Sequence, residues 1–239
     1  MIGKLRAYWR QMGFPGVRSN LTRELVRLSR RMTGKDGRKI KSYLAGAGEK
    51  KLVLGCGASI LTGWLNTDFE PVSDEVTYVN VTLPFPFPDG TFDYIFTEHM
   101  IEHIPYADAQ HMLRECFRVM KPGGRIRVST PNLEFLFDLY RSDKSPLQKE
   151  YIRWCAGEWG VKEQDTHVIN FYARAWGHCF IYDEKVLKKA MEEAGFVEVE
   201  RCALNESRNP IFQNIENESR MQPGFLKLET LTLEGTKRG

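Results

Sequence analysis

The apolar residues of this 239-residue chain follow two rhythms. In "LTRELVRLSRRM", Leu21, Leu25, Leu28 and Met32 recur at three- and four-residue intervals, while Arg23, Arg27, Arg30 and Arg31 fall mostly elsewhere. The pattern predicts an amphipathic helix, capped at Asn20 and stopped at Gly34. Its stripe suits packing on a protein body, and its basic face suits a membrane surface or a gate for substrate. From residue 50 the rhythm shortens. "KLVLG" is an apolar run ending in glycine, as in a buried parallel strand, and "FDYIFT" and "GRIRVST" also read as strands. Between those two, "PYADAQHMLRECFRVMKPGG" predicts a helix. Pro105 suits its first turn, Met112, Leu113, Cys116, Phe117 and Met120 form its apolar face, and Gly123 and Gly124 stop it. "DEKVLKKAMEEAG" predicts another helix, capped by Asp183 and closed by Gly195. "FVEVERCAL" and "LKLETLTLEG" alternate with period two and predict antiparallel strands at the end of the sheet. Strands alternating with helices imply right-handed crossovers and a mostly parallel α/β sheet. The stretch 132–180 is aromatic-rich without a clear period and reads as an insertion.

Composition keeps the chain among ordinary globular proteins, at 42% hydrophobic and 27% charged. No apolar run approaches the roughly 18 residues of a membrane span, and the basic N-terminus lacks the apolar core of a secretory signal. The five cysteines (56, 116, 155, 179 and 202) form no CxxC pair, which predicts a reduced, cytoplasmic protein. The net charge of +3 hides a split. Residues 1–51 hold 14 Lys/Arg against three acids, a charge of +11, so the remainder carries −8. A basic segment of this kind predicts an anionic partner, such as a phospholipid surface or a phosphorylated substrate.

Three stretches carry chemistry. "LVLGCGAS" places Gly55 and Gly57 straight after a strand, where the backbone can turn tightly and offer free N–H groups to a ligand. The phosphate loop GxxxxGK[ST] is absent, and GxGxxG is incomplete because position 60 is Ile. In "GWLNTDFEP", Asp68 stands 11 residues after Gly57, at the predicted end of a second strand. A carboxylate there can accept two hydroxyl hydrogen bonds from a ribose. "TEHMIEHIP" spells His99-x-x-Glu102-His103, the inverted zincin pattern, which on a helix sets two imidazoles on one face beside a carboxylate.

Taken together, "LVLGCGAS…GWLNTDFEP…PFPDGTFDYIFTEHMIEHIP…LRECFRVMKPGGRIRVSTPN" resembles a class I S-adenosylmethionine-dependent methyltransferase of the small-molecule, methyltransferase type 11-like kind. The resemblance covers residues 50–135 and continues more weakly through "WGHCFIYDEKVLKKAMEEAGF". It implies a Rossmann-like, mostly parallel seven-stranded sheet flanked by helices, with an antiparallel C-terminal strand and a helical N-terminal extension. It implies S-adenosyl-L-methionine as cofactor and S-adenosyl-L-homocysteine as product. Gly55, Cys56 and Gly57 would line the methionine part, Asp68 would hold the ribose, and Asn80 would stand near the adenine amino group, where the family usually has Asp. Phe69, Val81, Thr82 and Glu98 complete the implied cofactor set. Two positions depart from the family: the acid usual two residues before the first glycine is Val53, and the third motif glycine is Ser59.

That context gives the His-x-x-Glu-His stretch another place than a peptidase helix, namely the loop beside the cofactor's sulfonium. Related small-RNA 2′-O-methyltransferases and certain ubiquinone O-methyltransferases bind a divalent ion with Glu-x-x-Glu-His here. Glu102 and His103 match, His99 replaces the first Glu, and His178 would be the later ligand. The preferred expectation is acid–base work without metal, by His99, His103 and His178, with Tyr172, Arg174, Trp176 and Tyr182 around the acceptor. The expected organisation is a basic helical extension over 1–48 and a methyltransferase domain over 49–239, with the acceptor-side insertion at 132–180. The expected acceptor is a small molecule or saccharide, methylated at oxygen or nitrogen. The alternatives are a metal-assisted RNA methyltransferase and a non-catalytic cofactor-binding scaffold. The acidic body and the lack of an RNA-binding module weigh against nucleic acid. The expected location is cytoplasmic, extending to the inner face of a membrane.

Overall fold

A computed structural model of the protein describes residues 34–239. The stripe of Leu21, Leu25, Leu28 and Met32 lies outside the described residues. In chain order the elements are α1 (Lys35–Ala45), β1 (Lys51–Leu54), β2 (Leu65–Asp68), β3 (Thr77–Tyr78), β4 (Phe92–Glu98), α2 (Tyr106–Val119) and β5 (Met120–Pro131). Then come α3 (Leu133–Tyr140), α4 (Pro146–Trp159), α5 (Asp165–Tyr172), α6 (Glu184–Glu193), β6 (Val197–Cys202), α7 (Phe225–Glu229) and β7 (Thr230–Thr236).

The seven strands form one sheet in the order β3-β2-β1-β4-β5-β7-β6. The pairs from β3 to β5 are parallel, and β7 runs antiparallel to both β5 and β6. This is the Rossmann-like arrangement expected. The strand order reverses between β1 and β4, so the chain leaves those two strands in opposite directions and opens a crevice at their carboxyl ends. Gly55 follows β1 there, and Glu98 closes β4.

Strand alternation separates two apolar faces. Leu52, Leu54, Ile95, Ile126 and Val128 pack with Met112, Leu113 and Cys116 of α2 and with Leu187 and Met191 of α6. Each such buried side chain contributes about 1.5–3 kcal/mol. On the other face Val53 and Phe96 pack with Phe212 and Ile215, which belong to the connection between β6 and α7. Ile40 of α1 also enters the main core, and the Tyr43 hydroxyl donates to the Lys51 carbonyl at 2.9 Å. The expected boundary after residue 48 therefore leaves outside the domain a helix that is packed into its sheet.

Helix α2 starts after Pro105 as expected but ends at Val119. Met120-Lys-Pro-Gly-Gly belongs to β5, with a register shift against β4 between Phe92 and Tyr94. A Cβ at Gly124 would lie 2.5 Å from the Met120 Cγ and 2.9 Å from the Asp93 carbonyl, so the irregularity needs glycine. Helix α6 is capped as expected, the Asp183 side chain accepting from the Val186 N–H. "LKLETLTLEG" is a correction: its first half is α7 and only Thr230–Thr236 is strand. A five-residue apolar segment is too short for its period to separate one helical turn from a strand.

The aperiodic stretch 132–180 is helical. Asn132 caps α3, and Ser145 with Gln148 forms a capping box on α4, with Pro146 in its first turn. The helices α3, α4, α5 and α7 enclose a second apolar cluster that includes Phe135, Leu139, Tyr151, Val168 and Phe225. Among the described residues, no helix is long and apolar enough to cross a membrane.

Candidate functional site

The loop after β1 is built by two left-handed glycines, Gly55 at φ 68° and Gly57 at φ 52°. A Cβ at Gly55 would lie 2.2 Å from the Met100 Cγ, whereas one at Gly57 would meet nothing within 4 Å. The first glycine admits a neighbour, and the second leaves its side of the loop open. Asp68, at the end of β2, pins the loop: its Oδ2 accepts the Gly57 N–H at 2.9 Å and its Oδ1 accepts the Glu70 N–H at 2.7 Å. Each oxygen keeps a second lone pair for a ligand. Beside the loop lies a cavity of about 270 Å³, lined by residues 55–59 with Val53, Glu98, His99, Ile215 and Arg220. Burial pushes the Cys56 thiol up to about 12, so it stays protonated.

Of the expected cofactor residues, Gly55, Cys56, Gly57 and Glu98 line this cavity. Asp68 stands behind the loop. Phe69, Asn80, Val81 and Thr82 lie beyond Asp68, around the ends of β2 and β3, and are not on the cavity wall. Phe69 is 44% exposed and faces Tyr78 at 6.0 Å between ring centres. The Asn80 Oδ1 accepts both the Thr82 N–H at 3.0 Å and the Thr82 hydroxyl at 2.9 Å.

His99-x-x-Glu102-His103 is not on an α-helix. His99 has φ 46° and a 3-10 turn follows over Ile101–His103. The left-handed residue, rather than an i,i+4 face, turns the three side chains toward one another. Glu102 is fully buried. Its Oε2 accepts the Thr130 hydroxyl at 3.0 Å, while its Oε1 has no hydrogen-bond partner among the described residues. The His99 Nδ1 and His103 Nε2 lie 3.6 and 3.7 Å from that oxygen. His178 arrives from the end of the helical insertion, its ring centre 5.1 Å from that of His103. Its Nδ1 lies 2.8 Å from the Tyr172 carbonyl. A carbonyl only accepts, so Nδ1 carries the proton and Nε2 keeps its lone pair. The Cys179 N–H, bonded to the Glu102 carbonyl at 2.7 Å, ties the two segments together.

These groups line a second cavity, of about 380 Å³, walled by Trp154, Trp159, Tyr172 and Trp176 and closed by Arg220 and Glu229. Burial pushes Glu102 up to about 8 and Glu229 up to about 7. Burial pulls His178 down to about 4 and holds His99 and His103 below the usual histidine range. The cavity therefore presents neutral imidazoles near pH 7. One ligand atom from each of Glu102, His103 and His178 lies within 4.8 Å of the others, a set able to hold a divalent ion. Trp176 holds a left-handed backbone, φ 56°, which costs a bulky residue of order 1–3 kcal/mol and persists only where packing imposes it.

Of the expected acceptor residues, Tyr172 and Trp176 line the cavity. Arg174 is exposed and bonded to Asn170, and Tyr182 is buried in the main core. Sequence reading missed Arg220, Glu229, Trp154 and Trp159. Glu229 carries no signal either, since it falls in "LKLETLTLEG" among Lys227, Thr230 and Glu234 as one more polar position. It is buried and accepts the Tyr151 hydroxyl at 2.6 Å.

The sheet order and the glycine loop define a class I S-adenosylmethionine-dependent methyltransferase, and the open side of Gly57 beside the Asp68 carboxylate fits that cofactor. A family profile described as "Methyltransferase domain" matches residues 19–201, and the chain belongs to that family. The mitochondrial 2-methoxy-6-polyprenyl-1,4-benzoquinol methylase of Danio rerio is 30% identical over 121 residues, 48% of this chain and 33% of that protein. The ubiquinone/menaquinone biosynthesis C-methyltransferase of Cronobacter sakazakii is 32% identical over 120 residues, 48% of this chain and 42% of that protein. The aligned region thus spans less than half the length of these relatives. A solved S-adenosylmethionine-dependent methyltransferase from Archaeoglobus fulgidus superimposes with a TM-score of 0.49 at 17% identity, covering 90% of this chain and 94% of that one.

Proposed function

We propose that the protein transfers a methyl group to an oxygen or nitrogen of a small-molecule acceptor held in the histidine-lined cavity. One observation carries this reading: His99 and Arg220 line both cavities, so an acceptor in the second abuts a ligand in the first. The bound cofactor supplies an electrophilic methyl group on a sulfonium. Gly55, Cys56, Gly57 and Glu98 hold its amino-acid end, Asp68 accepts ribose hydroxyls, and Phe69, Asn80, Val81 and Thr82 border the base. The tryptophan walls exclude water and orient a ring or other flat acceptor. His178 is the proton acceptor at Nε2, with His103 and His99 beside it. The Thr230 hydroxyl, 3.0 Å from the His99 Nε2, and the Tyr172 carbonyl hold His99 and His178 in place, with Glu102 neutral and hydrogen-bonded to Thr130 beside them.

Of the two relatives, one is named as a benzoquinol methylase and the other as a C-methyltransferase of ubiquinone/menaquinone biosynthesis. Acceptors for testing therefore include quinols with phenols, amines and saccharides, incubated with chelated protein and methyl-labelled cofactor. Label on oxygen or nitrogen of one acceptor class supports the reading, and label on carbon replaces it. A second reading rests on the Glu102 Oε1, which has no hydrogen-bond partner among the described residues: with His103 and His178 it would hold a divalent ion that orients the acceptor oxygen. Loss of activity on chelation, restored by one divalent ion found in stoichiometric amount by elemental analysis, would favour it. The +11 charge of residues 1–51 supports contact with an anionic surface or a phosphorylated acceptor. Removing residues 1–34 is expected to weaken binding to vesicles containing anionic lipid while cofactor affinity holds.

A further inference from the structure

Residues 203–221, which join β6 to α7, form a strap over the glycine-loop cavity. It is fastened from below by Arg127 of β5, whose side chain is fully buried. The guanidinium donates to Glu216 Oε1 at 2.6 Å and Oε2 at 3.1 Å, to Glu234 Oε1 at 2.6 Å, and to the carbonyls of Glu206 at 2.9 Å and Ala203 at 3.1 Å. These bonds use all five of its donors. Glu216 also accepts the Ser129 hydroxyl at 2.7 Å and the Asn205 N–H at 2.8 Å. The strap then reaches across the cavity: the Asn217 N–H points at Glu98, 3.2 and 3.3 Å from its two oxygens, and the Asn217 Nδ2 donates to the Ser59 hydroxyl at 3.0 Å.

Three residues further on, Arg220 stands in contrast to Arg127. Its side chain is one-third exposed and lines the cavity, and its Nη2 is 3.8 Å from the Glu98 Oε1, longer than a hydrogen bond. Its guanidinium makes no hydrogen bond among the described residues, so the fork is open. The Glu98 side chain is 9% exposed and keeps lone pairs beyond those facing Asn217. Glu98 and Arg220 put a carboxylate and a guanidinium side by side on this wall, with His99 held neutral by burial beside them. Such a pair is complementary to a zwitterion, in which an ammonium and a carboxylate leave the same carbon. Val53, which lines the same cavity, brings no acid to it.

We infer that Glu98 and Arg220 clamp the amino-acid end of the cofactor, the guanidinium fork taking the α-carboxylate and the Glu98 carboxylate taking the α-ammonium. This rests on the cofactor reading above and adds the strap to it. Glu98 supplies the carboxylate that Val53 does not, and the Arg127–Glu216 anchor sets the height at which Arg220 meets the ligand. Arg127 is a positioning residue, acting through the strap.

The test is calorimetric and uses the full chain with three probes: S-adenosylhomocysteine, its decarboxylated analogue and its deaminated analogue. For the unaltered protein, loss of the carboxylate is expected to weaken binding roughly 10–100-fold, the range for a charge-assisted, two-pronged contact. Arg220→Gln should bind S-adenosylhomocysteine about as weakly as the unaltered protein binds the decarboxylated analogue, with decarboxylation then costing less than about twofold. Arg220→Lys should retain part of the discrimination, because a point charge replaces a fork. Glu98→Gln should lose discrimination against the deaminated probe and keep it against the decarboxylated one. Full discrimination by Arg220→Gln, or none by the unaltered protein, overturns the clamp while the cofactor site stands. No binding of S-adenosylhomocysteine by the unaltered protein overturns the cofactor site and the clamp together.

Discussion

The cavity at the glycine loop and the cavity under the aromatic helices share a wall and are built in opposite ways. Most of the first comes from two neighbouring strand ends, Gly55 to Ser59 after β1 and Glu98 with His99 at the end of β4, with Asp68 behind the loop pinning it through the Gly57 N–H. The second gathers Glu102 and His103 from a turn after β4, Trp154 and Trp159 from α4, His178 from beyond α5, and Glu229 from the joint of α7 and β7. In the first, the Cys56, Gly57 and Ser59 N–H groups are bonded to the Thr67 carbonyl, the Asp68 carboxylate and the Cys56 carbonyl, so the loop holds its own shape and Glu98 and Arg220 supply the charged groups of the wall. The second buries titratable groups, so that imidazoles lose their charge and carboxyls keep their protons. A short loop can thus persist through sequence change at Val53 and Ser59, because backbone makes it. A cavity assembled from segments so far apart depends on each side chain, and under the proposed function it sets acceptor choice.

The sharpest way to break this comparison is to delete an imidazole. His178→Ala is expected to lower the methyl-transfer rate roughly 10²–10⁴-fold, the range for losing a general base, with cofactor affinity unchanged by calorimetry. An equal fall in affinity would mean that the two cavities are one site. Next in size is Asp68→Asn on the other side. Losing charge-assisted bonds should weaken cofactor binding by about 1.5–3 kcal/mol, and a saturating cofactor concentration should recover the rate.

Smaller, and confined to the second cavity, is a dependence of stability on pH. Glu102 and Glu229 titrate in the folded protein above the ordinary value of 4.5, so the stability of their protonated forms is lost as pH rises through about 7 and 8. The three histidines titrate below their ordinary value of 6.5, so their contribution changes only below that pH. Between about pH 6.5 and 8 the chelated protein should therefore melt at progressively lower temperature. Glu102→Gln should flatten that slope, and an unaltered slope in this variant would show that Glu102 is charged when buried. A flattening produced in the unaltered protein by one added divalent ion would favour the metal reading instead.

The smallest effect is expected from Ser145→Ala, which removes the capping box of α4, the helix that carries Trp154 and Trp159. It should cost about 1 kcal/mol in chemical denaturation. Cofactor affinity should not move, since α4 contributes nothing to the first cavity. A change there would tie the acceptor wall to the glycine loop.

Sequence alone determined most of the strands, the glycine turn, Asp68 at a strand end, the start of α2 and the caps of α6. Each is a local matter, written in the period of apolar residues or in the chemistry of a cap or turn within a few positions. It also brought His99, Glu102, His103 and His178 under suspicion, although as types in a motif and not as a geometry. The tertiary structure decided the rest. The helices of 132–180 bury their apolar faces on one another and on α7, so no amphipathic period against a single sheet marks them. Met120 and the two glycines after it joined β5 because the strand pairing outweighed the helix stop. Arg220 and Glu229 reach the cavities only because Arg127 holds the strap and β7 returns antiparallel between β5 and β6. No local pattern encodes contacts between residues 76 or more positions apart, since the burial that makes them favourable exists only once the chain is folded.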